Sequence, residues 1–221
     1  MTRIMPSGRM DLIDLPSGRQ LVASADRLLA FFREEYEYYD AIPSGDPFHV
    51  SPLDVLVTVS VNSFVNNAAK VRTVHRGLAA ACDPLLRTIP VHADLRTFPV
   101  SGVRDLLHAA VQQRSVLTAV ATKVLHRKRP ALIPMLDSVL IGYYAAKLSA
   151  PRLVTWATGD KARAADAATV VLREFRADLI GVSEQLEDLR ETAGSEGYDV
   201  TAARILELLL WMDCEDRGYY R

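Results

Sequence analysis

The chain has 221 residues, a net charge of −1, 49% hydrophobic and 24% charged residues, the balance of a soluble globular protein that buries a sizeable core in one domain. Its two cysteines, Cys82 and Cys214, have no metal-ligand spacing, which excludes a disulfide scaffold or a zinc ribbon and suits a reducing, cytoplasmic compartment. No apolar run approaches ~20 residues and residues 1–20 contain arginines but no apolar h-region, so neither a membrane span nor a signal peptide is expected.

Residues 1–20 read as a turn-rich segment, with Pro6-Ser7-Gly8-Arg9 and Pro16-Ser17-Gly18-Arg19 as turns and Pro43-Ser44-Gly45-Asp46 as a third further on. From Arg19 onward helical period takes over: Leu21, Ala25, Leu28, Leu29, Phe32, Tyr36 and Tyr39 recur at three- and four-residue steps. Ser51-Pro52-Leu53-Asp54 has the chemistry of a helix start. It predicts a helix over 55–64, against which the alternating Val55, Val57, Val59 and Val61 leave a strand open. Further helices are predicted over 70–81, 83–87, from a Ser101 cap, over 115–127 and over 138–149 behind Asp137. A connector with Trp156 and Gly159 leads to a long amphipathic helix over 160–193 that Gly181 can bend, and a last, nearly all-apolar helix capped by Asp199. No Gly-rich βα turn appears, so nucleotide-binding α/β folds are not expected. The reading is all-α: a single-domain helical bundle over 21–213, with a short tail at 214–221.

Charge is segregated along the chain. Residues 1–54 carry net −4, residues 55–136 net +8 and residues 137–221 net −5, and residues 106–136 hold no acid. One reading is an anion-binding face, most simply for a nucleic-acid backbone. The other is a basic middle that packs against acidic flanks within one domain. Arg114, Lys123, His126, Arg127, Lys128 and Arg129 are the candidate backbone contacts. Pro130 disfavours helix at Arg129, so the turn is expected to present these side chains to solvent.

The most distinctive stretch runs Thr122-Lys123-Val124-Leu125-His126-Arg127-Lys128-Arg129-Pro130-Ala131-Leu132-Ile133-Pro134-Met135-Leu136-Asp137. It resembles an uncharacterised bacterial family, a domain of unknown function, that shares a K-L-L-x-R-K-R-P-x-L-I-P-x-x-D core. Ser51-Pro52-Leu53-Asp54-Val55 and the segment from Arg204 to Trp211 are similar to it as well. That resemblance implies no known activity. More distantly, Ile133-Pro134-Met135-Leu136-Asp137-Ser138-Val139 is similar to the link of helix-hairpin-helix DNA glycosylases. This implies a helix-hairpin-helix-like central pair and puts Asp137 on the catalytic aspartate, which assists departure of the base and stabilises the sugar cation. The chain departs from that pattern twice. Arg114-Ser115-Val116-Leu117 stands where the hairpin glycines lie, and Ala119 stands at the place of the Schiff-base lysine, one helical turn before Lys123. Only a glycosylase without lyase activity is compatible with these departures.

Asp137 also has the ordinary reading of a helix N-cap. The five histidines have no metal spacing, no G-x-S-x-G elbow is present, and no metal or cofactor is expected. Asn62, Asn66 and Asn67 either end the second helix or contact a ligand. The leading expectation is a binder of a nucleic-acid or other polyanionic backbone, DNA rather than RNA. The second is a monofunctional glycosylase using Asp137, and the third a protein–protein module. Oligomeric state is left open.

Overall fold

A computed structural model describes residues 11–217. The turn Pro16-Ser17-Gly18-Arg19 closes a hairpin of β1 (Asp11–Asp14) and β2 (Gln20–Ala23), with Gly18 at φ 78°. The first turn, Pro6-Ser7-Gly8-Arg9, lies outside the described residues. The helical period read from Arg19 therefore starts late. Residues 20–23 alternate, with Leu21 and Ala23 inward and Val22 outward, the period of a half-buried strand. Helix α1 (Ala25–Glu35) begins only after Ser24, whose side chain accepts the N–H of Arg27.

Ser51 launches α2 (Pro52–Val57) through a reciprocal cap: its hydroxyl accepts the N–H of Asp54 while Asp54 Oδ2 accepts the N–H of Ser51 at 2.7 Å. The alternative strand is thus excluded. A 3₁₀ turn carries the chain to Val61, and Asn62, at φ 59°, ends it. Asn67 caps α3 (Ala68–Leu86), one helix where the sequence suggested two, with Pro84 in its last turn. Helix α4 (Val100–Val111) starts at Val100 rather than after a Ser101 cap. Helices α5 (Thr118–His126) and α6 (Ser138–Lys147) flank the distinctive stretch, and the Trp156 connector is itself a helix, α7 (Arg152–Gly159).

The long amphipathic helix breaks at Val182 into α8 (Lys161–Gly181) and α9 (Ser183–Ser195). Gly181 lies against the hairpin turn so closely that a Cβ there would come 2.1 Å from Pro16 Cγ. Asp178 on the same helix accepts the N–H of Ser17 at 3.1 Å, so α8 carries the hairpin. The last helix, α10 (Ala202–Asp216), is capped by Thr201 rather than Asp199 and runs into what the sequence suggested as tail.

The fold is a mostly α-helical single-domain bundle with one small hairpin. Helix α8 packs against α4, α6 and α7, and α10 packs against α1, α6, α9 and β2. Every side chain from Ala202 to Leu210 is buried, including Arg204 and Glu207, while Trp211 is half-buried. Arg96 bonds Glu187 at 2.9 Å and Arg104 bonds Asp166 at 2.8 Å. In those pairs the basic middle of the chain meets its acidic flank inside one domain. Among the described residues no helix is long and apolar enough to cross a membrane.

Candidate functional site

The basic turn points inward. Lys123, His126, Arg127, Lys128 and Arg129 are all buried, Arg129 completely, which corrects the expectation that Pro130 would present them to solvent. The chain does leave the helix after His126, but the side chains reach back to the loop between Tyr39 and Asp54. Arg127 donates to the carbonyls of Tyr39, Ile42 and Pro43 and, through Nε, to Asp54 Oδ1 at 3.1 Å. Lys128 bonds the carbonyls of Ser44 and Asp46 and lies 2.7 Å from Asp54 Oδ2. Arg129 donates to the carbonyls of Pro47, Lys128, Leu86 and Ile89. An acid-free stretch is tolerated because most of its cations are met by main-chain oxygens, some of them at the C-terminus of α3, where the helix dipole favours positive charge. His126 Nδ1 bonds the carbonyl of Ile133 at 2.7 Å, and burial pushes its imidazole down to about 4, so it stays neutral at physiological pH. Of the six candidate backbone contacts, Arg114 alone is exposed, on the connection between α4 and α5.

Asp137 is the N-cap of α6, as its position predicted. Its Oδ1 accepts the N–H groups of Val139 at 2.9 Å and Leu140 at 3.1 Å. Among the described residues no hydrogen bond is made to Oδ2. The carboxylate is half-buried and lines two adjoining cavities of 310 and 1110 Å³. Both are also lined by Asn62, Lys123 and Trp211. The smaller adds Phe31, Tyr39 and Glu207; the larger is mainly apolar, with Phe64, Leu117 and Val139 among its walls. Ser115, at φ 62°, and Lys161 border the larger cavity at the α4–α5 connection.

Lys123 therefore belongs to the Asp137 site and not to an outer basic face. Its Nζ donates to the carbonyl of Val61. Burial pushes the ammonium below its ordinary range, although Asp137 and Glu207 oppose that shift. The extended link before Asp137 is fastened from two sides. Thr122 Oγ1 accepts the N–H of Leu136 at 3.0 Å, and Glu207 Oε2 accepts that of Met135 at 2.8 Å.

The model of the DUF6308 family, a family of unknown function, matches residues 24–214, nearly the whole described fold. The chain belongs to the DUF6308 family. No curated protein and no solved structure matches it. In this DUF6308 chain the matched region contains every wall of both cavities except Glu215.

Several residues of the site were not read from the sequence. The sequence leaves Asn62 open between a helix end and a ligand contact. It ends the 3₁₀ turn and also borders both cavities. Arg204, Glu207 and Asp40 form a buried ion cluster that no spacing in one segment reveals. The available signal was Arg204 and Glu207 three residues apart in a helix otherwise apolar all round, where charges are buried only in pairs.

Proposed function

We propose that the Asp137 cleft hydrolyses the N-glycosidic bond of a base in DNA, without a lyase step. The observation that carries this reading is the double position of Asp137: one oxygen is fixed by two backbone N–H groups of α6 and the other is left to a cavity large enough for a planar ring. As the bond from the sugar to the base breaks, its electron pair leaves with the base and positive charge grows on the sugar. A carboxylate held in a partly desolvated cleft stabilises that charge without reorganising. Water adds to the sugar carbon, and its proton passes by way of Asp137 to solvent or to the departing base.

The α4–α5 pair supports a helix-hairpin-helix-like role. Ser115 adopts the left-handed conformation that a hairpin glycine would supply. Polyanion contact in this reading moves from the buried basic turn to cations beside the larger cavity: exposed Arg114 next to Ser115, exposed Lys70, whose Nζ bonds the carbonyl of Phe64 at 3.2 Å, and half-buried Lys161, whose Nζ also bonds the carbonyl of Gln113. Asn62, Trp211 and exposed Phe64 offer an amide and two aromatic faces to a base.

A second reading, a protein-interaction module, is favoured by one observation. Leu53, Leu56 and Val59 are exposed at three-residue steps along α2 and its 3₁₀ extension. The two readings separate in one experiment. Duplex oligonucleotides carrying uracil, hypoxanthine, N7-methylguanine or 8-oxoguanine are incubated with the protein, and base release and binding are followed at two salt concentrations. The glycosylase reading expects release from at least one duplex. It also expects a slope of log affinity against log salt that falls by about 0.9 for each of Arg114→Ala and Lys161→Ala. No release from any of the duplexes overturns it.

A further inference from the structure

Glu207 lies on α10, 5% exposed, and lines the smaller cavity with Asp137 and Lys123. Both of its oxygens are engaged. Oε1 pairs with Arg204 Nη1, and Oε2 accepts the N–H of Met135, two residues before Asp137. The link that aims Asp137 thus hangs on a neutral acceptor from α5, Thr122, and an acidic one from α10.

The charge at this place is unbalanced. Arg204 gives Nε and Nη2 to the two oxygens of Asp40, each at 3.1 Å, and only Nη1 to Glu207, so one guanidinium serves two buried carboxylates. From α5, Lys123 faces the cluster with its ammonium pushed down by burial, and His126 stays neutral. Tyr39 packs beneath Arg204, and burial pushes its phenol well up, so it adds no charge. Arg127 also lies over that ring, 5.5 Å from its centroid, and is tied to Asp54. Asp137 before α6 and Glu35 on α1 add further acid around the smaller cavity. Asp40 holds the arginine with both oxygens and Glu207 with one, so the proton that relieves the imbalance goes to Glu207. Burial accordingly pushes that carboxyl up to about 7, with Asp40 and Asp137 adding to the rise and Arg204 and the Met135 N–H opposing it.

We infer that Glu207 is a positioning residue for Asp137: ionised, it holds the 133–137 link through the Met135 N–H, and protonated, it lets that link loosen. A carboxylate only accepts hydrogen bonds, whereas its acid form turns one oxygen into a donor. With both oxygens already facing N–H donors, a proton on either one weakens the hold on Arg204 or on Met135. The site is then set at and above neutral pH and slackens below it. This rests on the reading of Asp137 as the catalytic carboxylate, but its first test needs no substrate.

In the isotope-labelled full chain, the amide resonances of Met135, Leu136 and Asp137 and the side-chain carboxyl carbon of Glu207 are followed from about pH 5 to about pH 9. They are expected to move together with one midpoint near neutrality, and the amide movement is expected to vanish in Glu207→Gln. Amides that stay still while Glu207 titrates, or a Glu207 carboxyl that does not titrate in this range, overturn the inference. If Glu207→Gln fails to fold, the wild-type titration decides alone. The second measurement is the pH profile of base release. An acid limb near neutrality in wild type that is missing in Glu207→Gln supports the inference, and an identical limb in both overturns it. A wild type with no release but with coupled titration sinks the glycosidase reading while leaving the positioning role intact.

Discussion

Lys128 Nζ lies 2.7 Å from Asp54 Oδ2, with both side chains sealed from solvent. Asp54 is at the same time the partner of Arg127 and the acidic half of the cap that starts α2. Breaking a buried pair leaves an uncompensated charge, which costs far more than losing an exposed one. Asp54→Asn is expected to destabilise the protein by about 3–5 kcal/mol in urea titration. A loss under about 1 kcal/mol would mean that the pair is solvated in solution. The combined change of Arg127, Lys128 and Arg129 to Ala leaves loop carbonyls from Tyr39 to Pro47 without donors, and is expected to abolish cooperative thermal unfolding.

Asp137 gives a different pattern. Asn and Ser retain the cap of α6, so Asp137→Asn and Asp137→Ser are expected to melt close to wild type, while Asp137→Ala costs roughly 0.5–2 kcal/mol. Differential scanning calorimetry of the three variants checks the order. Equal losses in all three would assign the carboxylate a structural charge role that the cap alone does not explain.

The helical class, the start of α2, the cap at Asp137 and the turn at Gly18 were legible in the sequence because each is local. A serine before proline and an acid three residues on satisfy their own backbone. What failed was long-range. The exposure of Arg127, Lys128 and Arg129 depends on a loop more than eighty residues earlier in the chain whose carbonyls face them, and no periodicity carries that information. The helical period from Arg19 starts early because Leu21 is in step both with Ala25 and Leu28 on a helix face and with Ala23 on an inward strand face. Lys123, grouped by sequence with an outer basic face, instead lines the Asp137 cavities.

Two buried groups titrate in opposition. His126, pushed down to about 4, is neutral in the fold, so the unfolded chain binds the extra proton below its ordinary value of 6.5 and stability falls with acid. Glu207, pushed up to about 7 from 4.5, makes the folded state bind the extra proton, so its contribution is lost as pH rises through that window. Each slope has a magnitude of about 1.4 kcal/mol per pH unit and the two have opposite signs. Between about pH 4.5 and about pH 6.5 they offset one another. Glu207→Gln leaves the His126 slope uncovered, so the stability difference between wild type and variant is expected to change by about 1.4 kcal/mol per pH unit there. Parallel stability curves would show that Glu207 keeps its ordinary carboxyl behaviour.

Gly181 is where the two parts of the long helix meet the hairpin. A Cβ would lie 2.1 Å from Pro16 Cγ, so Gly181→Ala has to push the turn away. The expected cost is about 1–3 kcal/mol, the range for overpacking a tight contact. Hydrogen exchange should rise in β1 and β2 before it rises in α8. An unchanged melting temperature would place the hairpin away from α8 in solution.

The central claim is that Asp137 does chemistry in its cleft beyond capping α6. Single-turnover base release by wild type and Asp137→Asn, on the same lesion-bearing duplex and at matched melting temperature, tests it most directly. The account predicts release by wild type and a loss of about 100-fold or more in the variant, the scale for removing a group that stabilises transition-state charge. Equal rates in the two proteins, or no release by wild type from any of the duplexes, would contradict it.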